Sequence, residues 1–302
     1  MRTLKYIPIL ILLALFCVWF GLIYIDEPER VRAWYMTRRW MRIFGGLFVL
    51  GALASIIISK GKAGRAAALT FSLGIIAIMF PTLVKVLGFA YPADINLSAP
   101  TLTVHMPLSE PAIVTWGGNT VETNYHAAFP DQRWAYDLVV APHGMGTKTL
   151  TDYGCFGKPV LAPTAGTILK TVINEPDQTP SNTPEKQTNP FGNHVIITPD
   201  GTDNKLVIAH LKQGSINVSK GDAVNAGTPI GACGNSGNSS EPHVHMHYSA
   251  TRQAKDDLYY TYGLPLYFHG EDGAFMPTGG FTRKGGNIIW NNNGIAPTLP
   301  KP

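Results

Sequence analysis

The sequence predicts a mainly β domain that follows two or three transmembrane helices. Three long uncharged apolar stretches precede residue 94, whereas the later chain consists of short extended runs separated by glycine and proline. All nine histidines lie after residue 94. We therefore divide the chain into a membrane anchor at residues 1–94, a β domain at residues 95–270 and a C-terminal tail at residues 271–302.

The apolar stretches of the anchor are Tyr6–Ile25, Ile43–Ser59 and Ala66–Val84. A helix needs roughly 20 apolar residues to cross a bilayer. On this basis the spans are expected at 5–25, 43–59 and 66–88 of the sequence. A cleaved signal peptide is the alternative for the first stretch, but no small-residue cleavage site follows it.

The positive charge is concentrated in the anchor. Residues 1–94 contain 11 Lys/Arg against 4 Asp/Glu, whereas residues 95–302 contain 13 against 16. The β domain is therefore not basic, and we predict no nucleic-acid partner. Three spans with the N-terminus inside place this domain outside the cell membrane. They also place the arginine-rich segment 30–42 outside, against the positive-inside rule, so the orientation stays open.

Alternating apolar patterns and turn residues mark the strands of the β domain. Such patterns are typical of an antiparallel sheet with many turns. The predicted strands are 134–140, 166–173, 194–198, 205–211 and 244–249. The polar, proline-rich residues 174–190 are predicted to form a long surface loop between two strands. In the tail, Asn287–Trp290 is a candidate for one further strand.

Three histidines alternate in the segment His243-Val244-His245-Met246-His247. Strand residues two apart face the same side, so the three imidazoles are expected to project together. Imidazole is a common zinc ligand, although a hydrogen-bonded structural role is the alternative. Asp137 lies in an otherwise apolar strand, where a buried carboxylate needs a metal or a strong donor as its partner.

Several segments of the β domain resemble, in the right order, the signature of the lysostaphin-type zinc metallopeptidases, also called LytM domains. The segments are Lys158–Ile168, Gly192–Ile197, Ile208–Leu211 and Gly221–His245. The resemblance extends over residues 115–250. It implies an antiparallel β-sheet peptidase domain that cleaves peptides of the bacterial cell wall.

The resemblance also implies the roles of individual residues. It assigns His245, the second histidine of the H-x-H motif, and Asp137 as ligands of one zinc ion per chain. It makes His210 and His243 the catalytic pair, which together accept a proton from water and stabilise the oxyanion. Which histidine is the base stays open.

The first metal motif departs from the family pattern H-x-x-x-D, because Arg133 stands four residues before Asp137. We assign the third ligand to His126, eleven residues before Asp137. Asn124–His126 and Gln132–Asp137 resemble an expanded motif of a subgroup of the family, N-x-H followed by Gln-Arg-aromatic-Ala-x-Asp. His143 is the alternative ligand. His247 is expected to contact a metal ligand and fix its orientation, without binding the metal itself.

The remaining histidines and the cysteines are expected to have structural roles. His105, His194 and His269 are interpreted as structural or surface residues. Cys155 and Cys233 either form a disulfide in an extracytoplasmic domain or are two buried thiols.

The resemblance predicts an extracytoplasmic zinc endopeptidase that hydrolyses peptide bonds in peptidoglycan stems or cross-bridges. Its partners would be peptidoglycan peptides and the cell membrane. A non-catalytic LytM-like domain that binds or regulates the wall is the main alternative, and a membrane assembly subunit is another. The chain has no H-E-x-x-H motif, which argues against a gluzincin-type mechanism.

Overall fold

The computed structural model describes residues 6–25, 27, 29–59, 64–86, 89–181, 185–250, 261–284 and 287–290. The chain divides into two compact units, Met1–Pro92 and Ala93–Pro302. Parts of several predicted segments lie outside the described residues. They are residue 5 of the first span, residues 87–88 of the third, residues 182–184 of the predicted loop, residues 251–260 of the β domain, and residues 285–286 and 291–302 of the tail.

The first unit is helical. Its helices are α1 (Ile7–Phe20), α2 (Glu29–Ile58) and α3 (Arg65–Val86). By length and composition, Glu29–Ile58 and Arg65–Val84 can cross a membrane, whereas the apolar α1 is shorter. The predicted span at 43–59 is thus the second half of a longer helix that carries the arginine-rich segment in its first half.

Small residues let α2 and α3 approach closely. A Cβ atom on Gly45 would lie 2.8 Å from the carbonyl oxygen of Gly74. Larger residues at these two positions would therefore separate the helices, as at small-residue contacts between membrane helices. Leu12, Met41 and Ala77 are fully buried where the three helices pack together.

The second unit is built from strands. In chain order, these are β1 (Leu102–Val104), β2 (Ala112–Trp116), β3 (Tyr136–Val140), β4 (Pro159–Leu161), β5 (Gly166–Val172), β6 (Asn193–Pro199), β7 (Lys205–Leu211), β8 (Ala223–Val224), β9 (Pro229–Ala232), β10 (Val244–Ala250), β11 (Tyr262–Gly263), β12 (Leu266–Gly270), β13 (Gly273–Phe275), β14 (Phe281–Lys284) and β15 (Asn287–Trp290). Strands β13 to β15 lie after residue 270, in the segment that we predicted to be a tail.

Within the described residues, the central sheet has eight strands in the order β2-β3-β10-β7-β6-β5-β8, with β11 paired to β10. Every pair in this sheet is antiparallel. The predicted mainly β, antiparallel fold is therefore confirmed. Smaller sheets pair β1, β12 and β13, β4 with β9, and β14 with β15.

The two faces of the central sheet differ in chemistry. Leu138, Met246 and Ile208 point into the main hydrophobic core. Since successive strand residues face opposite sides, Asp137, His245 and the neighbouring Ala209 point to the other face. Burial of each large apolar side chain contributes about 1.5–3 kcal/mol, so the core face contributes most to the stability of the sheet. The opposite face carries the polar groups beside a smaller apolar cluster that includes Ile196 and Val207.

A disulfide joins Cys155 to Cys233 across a sequence separation of 78 residues. It links the segment between β3 and β4 to the end of β9, and both cysteines are buried. The structure thus favours the disulfide over the two buried thiols. The remaining cysteine, Cys17, is free and exposed.

Replacing both Cys155 and Cys233 with serine is expected to lower the free energy of unfolding of the β unit by about 2–4 kcal/mol, since the unfolded chain loses a long closed loop. Urea unfolding followed by tryptophan fluorescence measures this change. Cys17→Ser is the matched control and is expected to unfold like the parent. An unchanged midpoint in the double variant would mean that the bond contributes nothing to stability.

Candidate active site

Two imidazoles and one carboxylate converge on the polar face of the central sheet. His126 Nε2 lies 2.9 Å from Asp137 Oδ2, and His245 Nδ1 lies 2.8 Å from Asp137 Oδ1. Each residue offers one possible ligand atom, a ring nitrogen or a carboxylate oxygen, and these three atoms lie within 4.8 Å of one another. All three residues are buried. The structure therefore brings together the three residues that the sequence analysis assigned to a metal.

Strand pairing positions two of these residues. Asp137 on β3 is the register partner of His245 on β10, so their side chains leave the same face of the sheet side by side. Thr115 Oγ1 donates to the Asp137 carbonyl oxygen at 3.0 Å, which ties the neighbouring strand β2 to this position.

A short 3-10 turn, Tyr125–Ala128, positions His126. The Asn124 side chain caps this turn by accepting a hydrogen bond from the His126 backbone N–H at 3.1 Å. The Asn124 amide nitrogen also donates to the carbonyls of Gly118 and Ala135, at 2.9 and 3.1 Å. This fully buried asparagine therefore fixes the His126 turn against the start of β3.

Arg133 stands in the sequence where the motif H-x-x-x-D would have its histidine, but its side chain is not part of the metal-ligand group. Its guanidinium lies over the Trp134 ring, with 5.0 Å to the centroid, and Nη1 donates to the Asn119 carbonyl at 2.8 Å. Burial lowers the pKa of Arg133 to about 10, so it stays a cation at neutral pH. It helps hold the 119–134 segment in place.

The ligand cluster combines an ionised carboxylate with a neutral imidazole. Burial by itself would raise the pKa of the Asp137 carboxyl. The facing His126 and His243, with hydrogen bonds from His126 and His245, instead hold this pKa well below its ordinary value. Burial lowers the pKa of His245 to about 4, with the neighbouring His126 contributing, so this imidazole keeps a free lone pair at neutral pH.

The second pair of histidines lies beside the cluster. The His210 and His243 rings are 4.7 Å apart, and the His210 ring is 5.8 Å from His245. His243 Nε2 is 3.7 Å from Asp137 Oδ1. Burial, followed by the proximity of His243 and His245, lowers the pKa of His210 well below its ordinary value.

The Nδ1 atoms of His210 and His243 each lie within hydrogen-bond distance of a backbone carbonyl oxygen. His210 Nδ1 is 2.8 Å from the Ser236 carbonyl oxygen, and His243 Nδ1 is 2.8 Å from that of Glu241. His210 also has a φ of 60°, which is rare for a residue other than glycine. Such strain persists only where surrounding structure holds it, and it is frequent at functional sites.

The other histidines are distributed as follows. His247 Nδ1 lies 2.9 Å from His245 Nε2, behind the ligand cluster. His194 is buried on β6, with Nδ1 2.8 Å from the Gly192 carbonyl. The tilted rings of His105 and His269 lie 4.5 Å apart, centroid to centroid. His143 lies in an irregular segment after β3 and is not part of the described metal-ligand group.

Tyr125 is a residue of the site that was not predicted from the sequence. Its hydroxyl donates to Asp137 Oδ2 at 3.2 Å, and its ring lies 3.9 Å from that of His126. Trp116 packs edge-on against Tyr125, with centroids 5.2 Å apart. The only sequence signal was the position of Tyr125 directly before His126.

The chemistry of the ligand cluster fits a zinc ion. Two imidazole nitrogens and a carboxylate oxygen are ligand types that zinc prefers, and three protein ligands are typical of a catalytic zinc site. Within the described part of the chain, the ion-pair partners of Asp137 are imidazoles. No lysine or arginine is among these partners, so a divalent cation would be a suitable partner for the buried carboxylate.

The fold and this arrangement define a β domain with a candidate metal site. Residues 146–257 match the family described as Peptidase family M23, which supports a domain of the LytM type at these residues. M23 peptidases are zinc-dependent. The matched range includes His210, His243 and His245 but begins after His126 and Asp137.

Solved structures of several peptidases are similar to the chain. They include a putative peptidase M23 from Pseudomonas aeruginosa (17% identity, TM-score 0.29), lysostaphin from Staphylococcus simulans (17%, 0.33) and a zinc-containing peptidase from Vibrio cholerae (18%, 0.32). The alignments cover 50%, 53% and 49% of this chain and 46%, 51% and 36% of those chains. The chain thus spans about half the length of the first two. No curated protein matches the chain.

The Gly192 backbone packs against the Ser236 carbonyl group, which accepts the hydrogen bond from His210 Nδ1. Its φ is +58°, and a Cβ atom there would lie 2.3 Å from the Ser236 carbonyl carbon. We expect Gly192→Ala to lower the free energy of unfolding through two effects. The positive φ contributes about 1–2 kcal/mol of backbone strain, and the clash adds about 1–3 kcal/mol. Gly201, with a φ of +74° and open space around it, is the matched control. Equal losses in urea unfolding for the two alanine variants would contradict the clash.

Proposed function

We propose that this protein is a membrane-anchored, zinc-dependent endopeptidase that hydrolyses peptide bonds in peptidoglycan stems or cross-bridges. The observation that carries the proposal is the position of the His210 and His243 rings beside the His126, Asp137 and His245 cluster. The M23 domain supplies the reaction class, and peptidoglycan is the substrate that such domains imply.

In this proposal His126, Asp137 and His245 hold one zinc ion per chain. When bound, zinc polarises the scissile carbonyl as a Lewis acid and makes a water molecule more acidic. Asp137 contributes a full negative charge and His245 a neutral nitrogen. His247, 2.9 Å behind His245, fixes the orientation of the His245 ring.

The catalytic pair performs the proton chemistry. When a ring is neutral and its Nδ1 donates to the backbone carbonyl, its lone pair lies on Nε2. One of His210 and His243 accepts a proton from the attacking water. The other, when protonated, donates a hydrogen bond to the developing oxyanion.

The expected location is the outer side of the cell membrane. The Cys155–Cys233 disulfide is typical of an oxidising compartment, which supports an extracytoplasmic peptidase domain. Helices α2 and α3 are long and apolar enough to anchor it. Membrane attachment would keep the enzyme beside its polymeric substrate.

The test uses the full chain purified in detergent. We expect one zinc per chain by mass spectrometry, and new amino termini released from purified peptidoglycan. A chelator should abolish release, and added zinc should restore it. A folded protein without zinc or hydrolysis, but with measurable binding to peptidoglycan, would favour the non-catalytic wall-binding alternative.

A further inference from the structure

The polar segment 174–190, which we call the insert, is bonded to the loop that precedes His243. The structure describes the insert at residues 174–181 and 185–190. The Gln178 N–H donates to the Asn235 carbonyl at 2.9 Å, and the Asn235 side-chain amide donates to the Gln178 carbonyl at 2.7 Å. Further along, the Ser181 N–H donates to the Ser240 carbonyl at 2.9 Å.

The loop at residues 234–241, which we call the histidine loop, contacts both histidines of the catalytic pair. It supplies the carbonyls of Ser236 and Glu241 that hold their Nδ1 atoms. The Gly234 N–H also donates to the His210 carbonyl at 3.1 Å. A displacement of this loop would therefore turn both imidazole rings.

Asp177 of the insert connects the histidine loop to the strand that carries His210. Its Oδ1 accepts a hydrogen bond from the Asn235 N–H at 2.7 Å, and its Oδ2 accepts one from the Gln213 N–H at 3.1 Å. Asn235 directly precedes Ser236, and Gln213 lies three residues after His210. One carboxylate thus clamps the two backbone segments that determine the orientation of the His210 ring.

The residues of the histidine loop pack closely against the Asp177 carboxylate. Asn235 and Ser236 are fully buried, and Ser236 Oγ donates to the Leu211 carbonyl at 2.7 Å. A Cβ atom on Gly234 would lie 2.6 Å from Asp177 Oδ1, so the loop backbone passes directly against the carboxylate. Charge-assisted hydrogen bonds of this kind are stronger than neutral ones.

We propose that Asp177 is a positioning residue for the catalytic pair, and that the insert is a brace for the histidine loop. This rests on the proposed peptidase function. Asp177 contacts neither substrate nor metal in this scheme. It acts through Asn235 and Gln213, which fix the carbonyl of Ser236 and hence the tautomer and orientation of His210.

The experiment compares Asp177→Ala with the full-length parent in detergent, loaded with zinc. We expect kcat on a peptidoglycan peptide to fall about 10- to 100-fold, because small misplacements of catalytic groups have effects of this size. The expected change in KM is less than about twofold, and the zinc content should stay at the parent level. In ¹⁵N-histidine-labelled protein, the Nδ1–H resonance of His210, assigned by its loss in His210→Gln, should disappear through exchange with water.

Asp222→Ala is the matched control, since Asp222 Oδ2 also accepts from a backbone N–H, that of Ser219 at 2.8 Å, in an exposed loop. It should match the parent in every measurement. Parental kcat and an unchanged His210 resonance in Asp177→Ala would overturn the proposal, as would loss of zinc or equal losses in Asp222→Ala. If Asp177→Ala does not fold, the nearly isosteric Asp177→Asn is judged by the same criteria. A parent without hydrolase activity would refute the proposed function, while the resonance would still decide whether Asp177 orients His210.

Discussion

Replacing His126 with alanine is expected to reduce the zinc content of the purified chain from one ion to nearly none, and hydrolysis should be lost with it. His126 Nε2 faces Asp137 Oδ2 at 2.9 Å, so the substitution removes one of three ligands from a buried site. Changes behind a ligand already lower metal affinity by about 10- to 100-fold, and loss of a ligand should exceed this range. Mass spectrometry of the metal and peptide release measure the two effects.

The control for this variant is His269→Ala. The exposed His269 lies on β12, outside the ligand cluster, and its replacement should leave both zinc and hydrolysis unchanged. If His126→Ala retains zinc at the parent level, the third ligand has been misassigned, and His143→Ala becomes the next variant to measure.

Replacing His210 with alanine is expected to lower kcat by about 10²- to 10⁴-fold while zinc is retained, because a positioned general acid or base contributes that much. His210 lies beside the ligand cluster, with its ring 5.8 Å from that of His245, and is not one of the three proposed ligands. His243→Ala should behave in the same way. The separation of activity from zinc content distinguishes the catalytic pair from the metal ligands.

His105→Ala serves as the control here, since His105 contacts the His269 ring and not the cluster. It should keep the parental kcat. A parental kcat in His210→Ala would remove this residue from the mechanism and leave His243 as the remaining base. Zinc loss in His210→Ala would instead mean that the ring supports the metal cluster.

Most of the predicted site rests on the resemblance to LytM domains. Alternation along strands also contributed, because it is a local property that the sequence shows directly. The H-x-H spacing places His243 and His245 on the same face of a strand, and Asp137 is conspicuous as a charge within an apolar run. His126 was harder to place, since eleven residues separate it from Asp137 and the intervening chain is irregular. Its position depends on the buried Asn124 side chain, whose hydrogen bonds join the His126 turn to Gly118 and Ala135.

The sequence by itself determined the division into helical and β parts, the antiparallel sheet and the residue types of the site. The first two follow from hydrophobic period and turn chemistry, which act over a few neighbouring residues, whereas the site residues follow from the resemblance to LytM domains. Only the tertiary structure decided the Cys155–Cys233 pairing, the contact of Tyr125 with Asp137 and the bonding of the insert to the histidine loop. Each of these joins segments that are distant in sequence or irregular in backbone, where no periodic pattern records which groups will meet.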